Sequence, residues 1–156
     1  MPTRESEVRN TAPTLVVSQK GLGVSRETLQ RRYEALGLEF NAPRTLADGR
    51  RSVTGSLEIP TGVEAAVELI GPADDLTEVA VITAASEAHA RRYLPPVLVE
   101  VLEFAPEQVE KSSSNMLIGA TRGKAIALQG VSRPVVGELS VTPELGLLFL
   151  TVEAAN

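Results

Sequence analysis

The order of helical and strand-forming segments predicts an α+β fold: an antiparallel sheet of about six strands, arranged as two three-stranded meanders, with two or three helices packed on one face. Three observations predict it. Helix-periodic segments with capping residues are confined to residues 25–36 and 86–118. Three strand-like segments follow each of them, divided by Gly- and Pro-containing turns. Helices and strands are thereby segregated rather than alternating, which favours an antiparallel sheet with a helical layer over βαβ units.

Residues 1–12 are polar, mixed in charge and without period, and are expected to form a disordered arm. Residues 13–156 are expected to form a single domain, beginning with a short β-prone run at Thr14 to Ser18. Ser25 is a good N-cap, with Val24 and Leu29 at the two staple positions and Leu29, Tyr33 and Leu36 at helical spacing. Gly37 supplies a left-handed C-terminal residue, after which Leu38 can fold back on Tyr33. The helix predicted over 25–36 is therefore marked at both ends.

Leu38 to Phe40 reads as a short strand, and 41–50 as a loop that ends in the Asp48-Gly49 turn. Val53, Gly55, Leu57 and Ile59 alternate with Thr54, Ser56 and Glu58, and the partner strand runs from Val63 to Leu69 after Pro60-Thr61-Gly62. Glu78 to Ala84 is a third strand, apolar on both faces. Ser86 caps a second helix, which Pro95-Pro96 is expected to kink before it continues to Phe104. A further helical stretch from Pro106 to about Ile118 contains Ser112, Ser113, Ser114 and Asn115 at its centre. Strands at Lys124 to Val131, Val135 to Val141 and Leu145 to Glu153 complete the chain.

Composition narrows the chemistry. There is no cysteine, no tryptophan, one histidine (His89) and three aspartates among the 156 residues. A thiolate nucleophile, a Cys-based metal site and a disulfide framework are thus excluded. The net charge of −5 opposes binding to nucleic acid, and no segment has the length of apolar sequence that spans a membrane. The polar N-terminus predicts a cytoplasmic protein, with export after removal of a leader as the alternative. Arg31-Arg32, Arg50-Arg51 and Arg91-Arg92 read as solvated surface.

Two motif-like stretches fail on inspection. Gly119 to Lys124 has three residues between its glycines where a phosphate loop has four, and it follows a helix, so it reads as a helix end. Gly21-Leu22-Gly23 lacks the third glycine of a dinucleotide fingerprint. His89 has no clustered nucleophile or metal partner in sequence and reads as structural. Asp74-Asp75 fits a turn. Glu100, Glu103, Glu107 and Glu110 would form an acidic stripe if one helix ran through Pro106. Glu58, Glu64 and Glu68 would support acid–base chemistry only if they shared a cleft. No catalytic, cofactor-binding or metal-binding residue is therefore expected.

The stretch Asp48-Gly49, Gly55, then Val67-Glu68-Leu69-Ile70-Gly71-Pro72 resembles small uncharacterised bacterial α+β proteins in which a helix precedes a Gly-Pro-terminated hairpin and another helix follows. That resemblance spans roughly residues 25–104 and implies no activity. The element order is also similar to secretion-chaperone-like domains of bacteria, which implies a dimeric, acidic, protein-binding molecule.

The function expected is a non-enzymatic protein-interaction or chaperone-like domain, self-associating as a dimer. Val79, Val81, Leu147 and Phe149 are the candidate interface, because the strands that carry them are apolar on both faces and a single helical layer covers only one. The alternative is a binder of a small apolar, lipid-like ligand in an aliphatic cavity, if the sheet curls around one.

Overall fold

The computed structural model describes residues 21–155. The arm expected over 1–12 and the run at Thr14 to Ser18 lie outside them. Helix α1 (Arg26–Glu34) begins as its caps dictate: Ser25 Oγ accepts from the Thr28 N–H at 3.2 Å, and the Val24 and Leu29 staple is buried. It ends in a Schellman closure, with Gly37 at φ 103°, the Gly37 N–H on the Glu34 carbonyl and the Leu38 N–H on the Tyr33 carbonyl.

Two very short strands, β1 (Glu39–Phe40) and β2 (Arg44–Thr45), pair with the outer edge of β3 (Arg51–Ile59). Strands β3, β4 (Gly62–Ile70) and β5 (Glu78–Ala84) form the first antiparallel meander. Strands β6 (Ile126–Gln129), β7 (Val135–Thr142) and β8 (Leu147–Ala154) form the second. The two meanders join through antiparallel pairing of β5 with β8, giving one open sheet in the order β1-β3-β4-β5-β8-β7-β6. The six strands of the two meanders were legible in the sequence, β3 and β4 from alternation and the others as strand-like runs between turns. Two short strands bring the described sheet to eight: β1 falls within the short strand expected at Leu38 to Phe40, and β2 comes from the expected loop, whose residues satisfy free backbone groups of the β3 edge with no local pattern of their own.

Among the described residues the helical layer contains four α-helices rather than two or three. Helix α2 (Glu87–Tyr93) stops one residue before Pro95, and α3 (Pro95–Glu100) starts on it, with Leu94 capping both. A proline ring clashes with the turn before it but suits a first turn, where no N–H partner is needed, so the expected kink is a full restart. Glu103 then takes a left-handed φ of 64°, which ends the helical path before Phe104. A 3₁₀ turn (Pro106–Gln108) leads into α4 (Val109–Thr121). The serines at its centre are satisfied there: Ser113 Oγ donates to the Val109 carbonyl at 2.8 Å, and Ser114 Oγ accepts from Arg91 Nε.

Helix α2 packs on α4 and β5, α1 packs on α3, and α4 lies over β6 and β7. The core between layers is filled by Tyr33, Tyr93, Leu98, Leu69, Val81 and Leu150, all essentially inaccessible. Every described helix lies on that one side of the sheet. The other face has no cover from within the described residues.

Candidate interaction face

Strand register places residues on that uncovered face row by row. One row runs Ser56, Ala66, Ile82, Phe149 and Ser140 across five strands. On one side of it lie Ala84, Leu147 and Thr142, and on the other Thr54, Glu68, Ala80, Thr151 and Glu138. The centre is thus apolar, built on the cross-strand pair Ile82–Phe149, with Ile82 37% exposed and Phe149 half-buried. Its rim is ionic: Arg50 bridges Asp48 at 2.7 Å and Glu78 at 3.1 Å, and Arg44 lies 3.8 Å from Glu68. An apolar centre within a polar rim is the usual anatomy of a protein interface.

The four residues expected at an interface divide between the two faces. Leu147 and Phe149 are on the open face. Val79 and Val81 are not available to a partner, because they point into the protein's own core beneath the helices. Strand β5 is apolar on both sides, as its sequence indicates, but period-two alternation sends Val79 and Val81 inward and leaves Ala80 and Ile82 outward. Ile82, not among the residues expected, stands beside Phe149 on the open face. Its signal was the parity of β5 relative to Phe149, which becomes readable only once the pairing of β5 with β8 is known.

The three carboxylates considered for acid–base work are separated. Glu68 stands on the open face, where it accepts from Ser52 Oγ at 2.6 Å, and Glu58 is exposed near the hairpin. Glu64 is elsewhere because the register shifts between Leu57 and Glu58, so that Leu57 faces Ala65 while Glu58 faces Val63. The bulge leaves Glu64 as the extra residue and re-aims it toward α2. Its carbonyl accepts from the buried Thr83 hydroxyl at 2.9 Å, and its carboxylate receives His89 Nε2 and the Tyr93 hydroxyl, each at 3.1 Å.

His89, read from the sequence as structural, has specific partners at both ring nitrogens. Ser86 Oγ lies 2.5 Å from His89 Nδ1 while also accepting from the His89 backbone N–H. A ring carrying its proton on Nε2 satisfies all of these contacts at once. Hydroxyl, imidazole and carboxylate stand in the order of a hydrolytic relay. Ser86, however, is occupied as a helix cap, and the larger grooves of the surface are lined by other residues. The arrangement works as a latch between the helical layer and the sheet. Tyr33 extends it, donating to the Tyr93 carbonyl at 2.7 Å. Burial pushes the Tyr93 phenol up, with Glu64 adding to the effect, so Tyr93 remains a donor; complete burial pushes Tyr33 up further.

The remaining sequence features resolve as structure. The Gly21 and Gly23 N–H groups both bind the Asp75 carboxylate, at 3.2 and 2.9 Å. Gly123 sits at φ 95° just past α4 and closes that helix. The acidic stripe is broken up by the restart at Pro106: Glu100 pairs with Arg32 at 2.6 Å, and Glu103 binds Ser132 and Arg133. The Ser132 hydroxyl in particular holds the Glu103 carboxyl below the ordinary range. Among the described residues no three histidine, aspartate or glutamate side chains converge as a metal site, and no helix is long and apolar enough to cross a membrane. Comparisons of the chain with protein-family models, with curated proteins and with solved structures find no significant match.

Proposed function

We propose that this protein is a non-enzymatic interaction domain that self-associates as a dimer through the open face of its sheet, and that it serves other proteins in a chaperone-like role. The observation that carries the reading is the row Ala66, Ile82 and Phe149, apolar, central and without cover among the described residues, on a sheet whose other face is already filled by helices. Strands β3, β4, β5, β7 and β8, spaced about 4.8 Å apart and about 25 Å long, present a face of roughly 600 Å², somewhat below the ~800 Å² per partner of a standard interface. The same face on a second copy supplies a self-complementary cover around a two-fold axis. An apolar ligand has weaker support, since the sheet stays open and its inner face is occupied by Leu69, Val81 and Leu150.

Sedimentation equilibrium across the micromolar range tests this directly. Wild-type protein is expected to sediment as a dimer, and Phe149→Glu or Ile82→Glu as a monomer with unchanged far-UV circular dichroism. A wild type that is monomeric throughout, or a dimer that both substitutions leave intact, overturns the reading.

A further inference from the structure

On the opposite side of the molecule, the helical layer holds a groove of about 910 Å³ between α1, α2, α3 and α4. Two arginine pairs distant in the sequence meet along it: Arg31 and Arg32 from the last turn of α1, Arg91 and Arg92 from the last turn of α2. Leu36, Pro95 and Pro96 give it an apolar floor. Glu110 lines the groove with these four guanidinium groups, and Arg31, Arg32 and Arg91 each have a carboxylate within ion-pair distance, so among the described residues Arg92 is the positive charge left over there.

These arginines are unequally engaged. Arg32 is committed to Glu100 at 2.6 Å. Arg31 meets Glu27 in a pair whose side chains are 75% and 70% exposed, and Arg91, whose Nε donates to Ser114 Oγ, approaches Glu87 and Glu110 at 3.8 and 3.9 Å. Arg92 has no carboxylate within ion-pair distance among the described residues. Its Nε donates to the Tyr93 hydroxyl at 3.2 Å, its Nη2 to the Leu36 carbonyl at 3.3 Å, and its guanidinium lies 5.6 Å from the Tyr93 ring centre. Tyr93 is itself held by Glu64, so Arg92 is positioned by the latch beneath α2 before any ligand arrives. Arg31, Arg91 and Arg92 retain N–H donors toward the groove, and solvated pairs exchange readily with an incoming acid.

We infer that this groove binds an acidic, amphipathic segment of a partner protein. Its carboxylates would take the forked donors of Arg31, Arg91 and Arg92, and its small apolar side chains the floor at Leu36, Pro95 and Pro96. The groove walls carry no aromatic ring on which a nucleobase could stack. The chain's own residues 1–20 hold three cationic and two acidic side chains, the wrong balance for the same place. The inference rests on the reading of this protein as a protein-binding domain, but not on its self-association, which uses the other face.

A fluorescein-labelled Glu-Ala-Leu repeat peptide is the probe, with a Lys-Ala-Leu repeat and a single-stranded oligonucleotide as comparisons, all titrated into the full chain by anisotropy. The acidic peptide is expected to bind at least tenfold more tightly than either comparison and to weaken as salt is raised. Arg92→Glu is expected to weaken it tenfold or more. Arg31→Glu, which breaks only an exposed pair, is expected to do so severalfold with the fold intact. Equal binding of the oligonucleotide or the lysine peptide overturns the inference, as does undiminished binding by both variants. A dimer that forms while the acidic peptide fails to bind removes the groove alone and leaves the proposed self-association standing.

Discussion

A single carboxylate shows how local signals acquire their meaning from distant partners. Asp75 lies in the turn between β4 and β5, and its two oxygens take the N–H groups of Gly21 and Gly23 ahead of α1. A Cβ on Gly21 would fall 2.1 Å from that carboxylate, which is why the approach requires glycine. Gly23 adopts φ 80°, a conformation glycine enters without strain. Asp75→Ala would strand both donors and is expected to cost about 1–2 kcal/mol. A lowered urea midpoint with an unchanged slope would show it, and an unchanged midpoint would mean that water replaces the carboxylate without loss. Gly55 follows similar logic, since a Cβ there would meet the Phe40 ring at 2.6 Å.

At the scale of elements, caps and breakers act where the sequence places them, and their consequences depend on packing. Ser86 begins α2 by accepting the His89 N–H, and the same hydroxyl meets the His89 ring that reaches Glu64. Ser86→Ala therefore removes both a cap and one arm of the latch. A loss of about 1 kcal/mol is expected from the cap alone, with more if the His89 ring loosens. Thermal melting would register it as a drop of a few degrees. Ser25→Ala, where the cap has no such second contact to the sheet, is the matched comparison and should cost no more than the cap value. Equal losses at both serines would show that the latch adds nothing to stability.

For the whole molecule, the sheet's two faces have different fates. The inner face is filled by the helices, and the outer face, with Ile82 and Phe149 at its centre, has no cover among the described residues. Association that covers this face stabilises the folded state by mass action, so the melting temperature of wild-type protein is expected to rise with concentration through the micromolar range. Phe149→Glu should make it independent of concentration. A wild-type melting temperature that does not change with concentration would count against a dimer that matters to stability.

The sequence by itself determined the α+β class, six long strands in two meanders, helix α1 with both its caps, and the start of α2 at Ser86. These follow from interactions within a few residues: alternation at period two, hydroxyls at N-caps, glycine at positive φ and proline at a helix start. It also indicated that one sheet face would lack cover, because one helical layer cannot bury strands that are apolar on both sides. Tertiary structure decided the rest. The pairing of β5 with β8 set Ile82 opposite Phe149 and turned Val79 and Val81 inward. A bulge carried Glu64 away from Glu68 to His89, and the stacking of helices brought Arg31 and Arg32 beside Arg91 and Arg92. Each of these depends on register or packing between segments remote in the chain, and a period read along one segment contains no information about the phase of another.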